Sequence, residues 1–138
     1  MSKTLKLIAF AAMMALTAFA WAGKTEGPKT VPGATTIDVA EARKLFEAEI
    51  PFIDVRKDKD WDAGRVPGAY HLDVKKALTR ESLGEIVKPD ETVVFYCNGP
   101  KCHRSSKAAA MAVSWGYTKV KYFRDGFPAW KGAGNPVE

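Results

Sequence analysis

Cysteine and histidine are scarce in this sequence, which contains only two of each among 138 residues. The cysteines are Cys97 and Cys102, and the histidines are His71 and His103. None of them has the paired C-x-x-C or H-x-x-x-H spacing that is typical of a metal site. Internal repeats and low-complexity tracts are lacking as well. We therefore expect no bound metal and no other cofactor.

A strong excess of charge of one sign is also missing. The formal net charge is +5, a surplus too small to predict nucleic-acid binding. The charge is unevenly distributed, because no acidic residue lies between Glu91 and Asp125. Six basic residues lie there: Lys101, Arg104, Lys107, Lys119, Lys121 and Arg124. This stretch favours the binding of small anions, and a solvent-exposed basic face is the alternative interpretation.

A long apolar run occurs near the amino terminus. It extends from Leu7 to Phe19, follows Lys3 and Lys6, and precedes small residues up to Ala22. This order is typical of a secretory signal peptide, and the run is short for the ~17 to 25 apolar residues of a membrane span. We expect residues 1–22 to be cleaved, which predicts a periplasmic or secreted protein without membrane attachment. A retained membrane helix is the alternative.

The rest of the chain divides into a short lead and one domain. Residues 23–35 are rich in Gly, Pro, Lys and Thr without apolar periodicity, which predicts a flexible lead. Residues 36–138 alternate strand and helix patterns, with a helix that begins after Asp38 and a central strand, "ETVVFYC", over 91–97. This alternation predicts an α/β fold with a largely parallel central sheet flanked by helices.

Both cysteines lie in "YCNGPKCHRSS" (96–106), the loop that follows the central strand. We expect Cys97 to end that strand and Ser105 or Ser106 to cap the next helix. The loop amides and the positive end of the helix dipole then form a cradle for negative charge. A thiol in such a cradle ionises more easily than a free thiol, which predicts that Cys97 is an exposed nucleophile.

Other interpretations of the cysteine pair remain open. A bridge between Cys97 and Cys102 is one, although a bridge across so short a loop restricts the unfolded chain little. A metal clip is the second. The third is that Cys97 is simply a small apolar side chain at the end of a buried strand.

Three segments resemble, in order, the motifs of single-domain rhodaneses, a family of thiosulfate sulfurtransferase-like proteins. "FIDVRKDKDWDAGRVPGAYHLDV" (52–74) resembles the upstream motif, and "VVFYCNGPKCHRSSKAA" (93–109) resembles the active-site strand, loop and helix. "YFRDGFPAWKGAGNPVE" (122–138) resembles the carboxyl-terminal motif. The resemblance covers about residues 36–138 and implies the three-layer rhodanese fold.

The resemblance also implies an activity and its residues. A cysteine at the strand end, here Cys97, takes a sulfane sulfur from a donor, becomes a persulfide and passes the sulfur to an acceptor. The implied donor is a small anion such as thiosulfate, a polysulfide or a persulfide, and the implied acceptor is a thiol or cyanide. The residues expected to bind substrate or to form the loop are Asn98, Gly99, Lys101, His103, Arg104 and Ser105.

The chain departs from the family pattern at two points. Six residues separate Cys97 from Arg104, more than is usual in the family, so a larger donor such as another protein's persulfide is expected to fit. The second departure is Cys102. It is expected either to resolve the Cys97 persulfide, to protect the thiol as a disulfide, or to do neither.

Asp54 and Arg56 are expected to support the site rather than to react. We expect Asp54 to accept hydrogen bonds from loop amides and Arg56 to pair with Asp60 or Asp62. Competing functions are a thiol-disulfide redox protein, a sulfur carrier without catalysis, and a phosphatase or arsenate reductase, which the loop length disfavours. A redox or sulfur-relay protein is therefore a possible partner.

Overall fold

Five strands and five helices alternate along residues 25–138, the part of the chain that the computed structural model describes. The strands are β1 (Ala34–Thr36), β2 (Phe52–Asp54), β3 (Tyr70–His71), β4 (Thr92–Tyr96) and β5 (Lys119–Phe123). The helices are α1 (Val39–Glu47), α2 (Asp58–Ala63), α3 (Arg80–Gly84), α4 (Arg104–Ser114) and α5 (Gly126–Gly132). In that part of the chain, no helix is both long and apolar enough to cross a bilayer. The predicted signal peptide lies outside the described residues.

All five strands are parallel and lie in the order β1-β5-β4-β2-β3, with β4 at the centre. Val93, Val94 and Phe95 of β4 are fully buried, as expected for a parallel strand covered on both faces. Their side chains alternate between two cores. Val93 and Phe95 pack in one core with Ala108 of α4. Val94 packs in the other core with Trp130 of α5. The predicted three-layer α/β fold is confirmed.

The helix that follows the cysteines begins earlier than predicted. Strand β4 ends at Tyr96, and α4 begins at Arg104 with His103 as its N-cap. Ser105 and Ser106 therefore lie inside the first turn and are buried. The prediction that one of them caps the helix was wrong, because the Ser106 hydroxyl donates to the carbonyl of His103 (3.0 Å) instead of accepting from an amide. By contrast, Asp38 caps α1 by accepting from the Glu41 amide (2.8 Å).

Residues 25–33, which we call the N-terminal strap, pack against the domain, and the predicted boundary of a lead at residue 35 needs correction. Ala34 and Thr35 belong to β1, which pairs with β5 at the edge of the sheet. Val31 is buried in the core. The Gly27 amide donates to the carbonyl of Pro100 in the cysteine loop (2.6 Å). Backbone pairing at the sheet edge and burial of Val31 explain why this segment packs against the domain. The composition of the segment did not indicate this packing.

Candidate active site

Cys97 lies immediately after the central strand and is only 1% exposed. Its side chain packs in the same core as Val55 and Ala109, and its carbonyl accepts a hydrogen bond from the amide of Phe127 (2.9 Å). The expected exposure of Cys97 was therefore wrong, whereas its role as a nucleophile stays a prediction. The β5–α5 connection thus packs against the Cys97 backbone.

Cys97 and Cys102 are joined in a disulfide, with their Cα atoms 6.3 Å apart. Cys102 directly precedes the N-cap residue His103, so the bridge bonds the Cys97 sulfur to a residue two positions before the first residue of α4, Arg104. The amino end of α4 carries the positive pole of an 11-residue helix, which favours negative charge. Of the three interpretations of the cysteine pair that the sequence left open, the disulfide bridge is the one present in the structure.

Two glycines shape the loop around the bridge. Gly99 has φ +119 and accepts a hydrogen bond from the Cys102 amide (3.0 Å). Gly126 has φ +64, and a Cβ at this position would lie 2.3 Å from the Cys97 carbonyl oxygen and 2.8 Å from the Gly99 nitrogen. A side chain therefore cannot be placed at residue 126 without moving the cysteine loop.

Arg104 links the loop to the segment after β3. Its guanidinium donates to Asp73 Oδ1 (2.9 Å) and reaches the Val55 carbonyl (3.4 Å). Burial raises the pKa of Asp73, but the hydrogen bond from the Lys75 amide and the Arg104 guanidinium outweigh it, so this pKa lies below its ordinary value. Arg104 thus has a carboxylate partner within the protein, and its guanidinium is half-buried beside the loop.

A buried polar network lies at the ends of β2 and β4. Arg56 forms a two-pronged ion pair with Asp54, with a shortest distance of 2.7 Å. Asp54 also accepts from the Tyr96 hydroxyl (2.6 Å) and from the Arg56 amide (3.0 Å). Burial by itself would lower the pKa of Arg56, but the hydrogen bonds and the negative charge of Asp54 outweigh this effect. The pKa of Arg56 is therefore above its ordinary value. Burial and the Asp54 carboxylate together raise the pKa of Tyr96 far above its ordinary value.

The predicted hydrogen-bond and ion-pair partners of Asp54 and Arg56 were partly wrong. Arg56 pairs with Asp54 rather than with Asp60 or Asp62, because the side chains two residues apart at the strand end turn to the same face. Asp54 accepts a hydrogen bond from one backbone amide, that of Arg56, and its other hydrogen bonds come from the side chains of Arg56 and Tyr96. Both residues lie outside the cysteine loop, and their supporting role stays a prediction.

Asn98 connects this network to the cysteine. Its side-chain oxygen accepts from Arg56 (3.2 Å), and its amide group donates to Asp60 (2.9 Å). The Arg56 guanidinium also donates to the Gly64 carbonyl (2.6 Å). The Asn98 side chain thereby ties the loop residue next to Cys97 to the buried Asp54–Arg56 pair and to α2.

The other predicted loop residues occupy distinct positions. Lys101 and His103 are exposed, and His103 Nε2 lies 2.6 Å from the carbonyl oxygen of Thr25 in the N-terminal strap. Ser105 is fully buried, and its hydroxyl has no hydrogen-bond partner among residues 25–138. The predicted residues thus surround the bridge, with Lys101 and His103 on its solvent side.

Sequence reasoning missed three residues of the site, Tyr96, Asp73 and Gly126. The first was treated only as part of an apolar strand. A signal for Asp73 was available, because it lies just beyond a short strand, Asp54 ends another, and parallel strands end at one edge of a sheet. The close approach of Gly126 to Cys97 joins distant parts of the chain and had no local signal.

Other candidate sites in the described part of the chain are weaker. Among residues 25–138, no group of three His, Cys, Asp or Glu side chains could hold a metal ion. A cavity lined by Phe46, Phe52 and Tyr70 lies where strands β2 and β3 begin, at the end of the sheet opposite Cys97.

Comparison with known proteins decides the family. The model of the rhodanese-like domain matches residues 38–133, which include every loop residue described above. The chain belongs to the rhodanese-like domain family. The resemblance of its three motifs is therefore confirmed over most of the chain.

Curated relatives of this rhodanese-like domain include proteins named for sulfur transfer. A sulfurtransferase of Allochromatium vinosum is 31% identical over 97 residues, 70% of this chain and 86% of that protein. A thiosulfate sulfurtransferase of Arabidopsis thaliana is 26% identical over 113 residues, 74% of this chain and 82% of that protein. A helix-turn-helix transcriptional regulator of Mycobacterium tuberculosis is 32% identical over 96 residues, 70% of this chain but only 41% of the regulator.

Solved structures show the same fold. A Bacillus halodurans protein superposes with a TM-score of 0.67 at 22% identity, covering 76% of this chain and 77% of that one. A human single-domain sulfurtransferase superposes with a TM-score of 0.61 at 23% identity, covering 72% and 96%. Together, the family and its named members support a sulfurtransferase-type or sulfur-related role.

Proposed function

We propose that this rhodanese-like domain transfers a sulfane sulfur from thiosulfate, a polysulfide or a persulfide to a thiol or cyanide through a persulfide on Cys97. The observation that carries the proposal is the position of this sulfur, after the central strand and beside the amino end of α4. Strand ends that meet helix amino ends are the usual binding places of parallel sheets.

The reaction requires the Cys97 thiolate and no cofactor. The thiolate attacks the outer sulfur of thiosulfate, the sulfur–sulfur bond of the donor breaks, and sulfite leaves with the bonding electrons. The acceptor then attacks the terminal sulfur of the Cys97 persulfide and returns Cys97 to its thiolate form. We assign stabilisation of the persulfide anion to the α4 dipole and to the buried Ser105 hydroxyl, a donor without a partner among residues 25–138.

The bridge makes the oxidised protein a resting form in this proposal. Two electrons from outside thiols must open it before a donor can react. Once Cys97 carries a persulfide, the Cys102 thiolate attacks the inner sulfur of the protonated persulfide, Cys97–S–SH, so that hydrosulfide leaves with that proton and the bridge closes again. Cys102 therefore competes with the acceptor, and this assignment rests on the two sulfurs being within bonding distance.

The second candidate function is a thiol-disulfide redox protein, which the bridge itself favours. In that case the bridge passes its oxidising equivalents to a partner dithiol and no sulfur is moved. We also propose that the chain acts in the periplasm or outside the cell, because a signal-like segment precedes the domain and disulfides persist in oxidising compartments.

The test is turnover of thiosulfate with cyanide by protein that has been reduced and then freed of reductant. We expect sustained thiocyanate formation by Cys102→Ser, none by Cys97→Ser, and a wild-type rate that decays as the bridge closes. Parallel lines in double-reciprocal plots are expected, since one sulfur serves both half-reactions. Equal activity of the two variants would overturn the proposal, and oxidation of a dithiol without sulfur transfer would favour the redox function.

A further inference from the structure

The two cysteines of the bridge differ in their access to solvent. Cys97 is 1% exposed and its backbone packs against the β5–α5 connection, whereas Cys102 is partly exposed on the loop. Thiol-disulfide exchange begins with attack of a thiolate on one of the two sulfurs, and access decides which one. An outside thiol therefore meets Cys102 first.

The N-terminal strap fixes this half of the loop. The Gly27 amide donates to Pro100 (2.6 Å), and a Cβ at Gly27 would lie 3.1 Å from the Cys102 carbonyl oxygen. The carbonyl of Thr25 lies 2.6 Å from His103 Nε2 on the other side of Cys102. Contacts on both sides of Cys102 make its partial exposure a property of the folded domain.

Two cationic side chains near Cys102 are exposed, those of Lys101 and Lys107. Lys101 directly precedes Cys102 in sequence, and Lys107 lies in the first turn of α4. Three acidic groups that come near already have partners within the protein. They are Asp73, which binds Arg104 (2.9 Å), Glu26, which binds Arg124 (3.2 Å), and Asp60, which accepts from the Asn98 amide group (2.9 Å). A fourth acidic residue, Asp125, is exposed, and its backbone carbonyl faces Gly99.

We propose that a thiol of net negative charge opens the bridge by attacking Sγ of Cys102, so that Cys97 is the leaving group. The bond between the two cysteine sulfurs breaks, a mixed disulfide forms on Cys102, and Cys97 departs as a thiolate without needing a proton. A second thiolate then attacks the mixed disulfide, releasing the disulfide of the two outside thiols and the Cys102 thiolate. The two thiols supply both electrons.

This direction of opening delivers the group that sulfur transfer requires. The leaving thiolate is generated beside the amino end of α4, where negative charge is favoured. The inference rests on the proposed function only in one respect, namely that the freed Cys97 thiolate then reacts with a sulfur donor. Its test contains no sulfur donor, so failure of the inference and failure of sulfur transfer are distinguishable.

The first measurement locates the mixed disulfide. Oxidised protein is exposed briefly to glutathione, an anionic thiol, then quenched with acid, and its free thiols are alkylated. Trypsin cleaves after Lys101 and so separates the two cysteines into different peptides for mass spectrometry. We expect glutathione on Cys102 and the alkyl group on Cys97. Glutathione on Cys97, or on both residues equally, would overturn the inference.

The second measurement tests the charge of the thiol. Rates of bridge opening by glutathione and by cationic cysteamine are compared for wild type, Lys107→Glu and Lys119→Glu, the last an exposed control at the start of β5. We expect Lys107→Glu to lower the rate with glutathione relative to the rate with cysteamine on the order of threefold or more, since local charge steers association. Lys119→Glu should leave the ratio unchanged. Equal ratios in all three proteins would contradict the preference for an anionic thiol.

Discussion

The Tyr96 hydroxyl donates a 2.6 Å hydrogen bond to Asp54 across two neighbouring strands, and both side chains are fully buried. Tyr96 directly precedes Cys97, and Asp54 holds the Arg56 guanidinium that reaches Asn98. The backbone on both sides of the cysteine is thereby tied to one buried polar network. Such networks are costly when partly satisfied, so the site depends on all of its members.

Replacing Tyr96 by Phe should destabilise the domain by about 1–3 kcal/mol. The change removes the donor to Asp54 and leaves the Val66 amide without the hydroxyl that accepts its hydrogen bond (3.2 Å). Urea unfolding of the variant measures the loss. Tyr70→Phe, at a residue 47% exposed, is the matched control and should change stability by less than about 0.5 kcal/mol. Equal effects of the two changes would show that the network adds nothing.

Replacing Gly126 by Ala should damage both stability and sulfur transfer. The added Cβ would meet the Cys97 carbonyl oxygen at 2.3 Å, and φ +64 disfavours any residue with a Cβ. Overpacking of this kind costs about 1–3 kcal/mol, and the loop must shift to relieve it. Thermal unfolding and the thiosulfate assay together measure the effect.

The control for this substitution is Gly132→Ala. Gly132 ends α5, and a Cβ there would meet nothing within 4 Å. This variant should keep its activity and be as stable as wild type or slightly more stable, by up to about 1 kcal/mol. A Gly126→Ala protein that behaves like Gly132→Ala would contradict the close packing of residue 126 against Cys97.

Replacing Asp73 by Asn should remove a pH-dependent part of the stability. The pKa of Asp73 is lowered in the folded protein, so its ionised form stabilises the fold above the unfolded value of about 3.9. This contribution is lost as the pH falls through the folded pKa. At pH 7 the variant should be less stable by about 1.5–3 kcal/mol, the usual range for a hydrogen bond to a charged group.

The measurement for Asp73 is the stability difference between wild type and variant from pH 7 down to pH 3. The difference should shrink below about pH 4. A difference that stays constant over this range would rule out a stabilising role for the ionised Asp73–Arg104 pair.

The order of the elements was predictable because the patterns that decide it are local. The apolar run of β4, the Asp38 cap and the small residues of α4 each act within a few residues of the chain. The same holds for the position of the cysteine loop, which follows the strongest strand pattern. The α/β fold, the parallel sheet and the rhodanese resemblance were all confirmed on this basis.

The environment of Cys97 was not predictable, because it is made by residues far apart in sequence. The Cys97 backbone packs against Gly126 and Phe127, and the N-terminal strap is held by a backbone contact with Pro100. The partner of Arg56 was mispredicted for a different reason. Several acidic residues lie near Arg56 in sequence. The Arg56 side chain faces Asp54 because of the backbone direction at the end of β2.

The proposed function depends above all on Cys97 as the carrier of the transferred sulfur. The most direct measurement is the intact mass of Cys102→Ser after reduction, removal of the reductant and incubation with thiosulfate. A gain of one sulfur atom, placed on Cys97 by peptide mapping and lost on addition of cyanide, is the predicted result. No gain from thiosulfate, polysulfide or a persulfide donor, or the same gain in Cys97→Ser, would contradict the account.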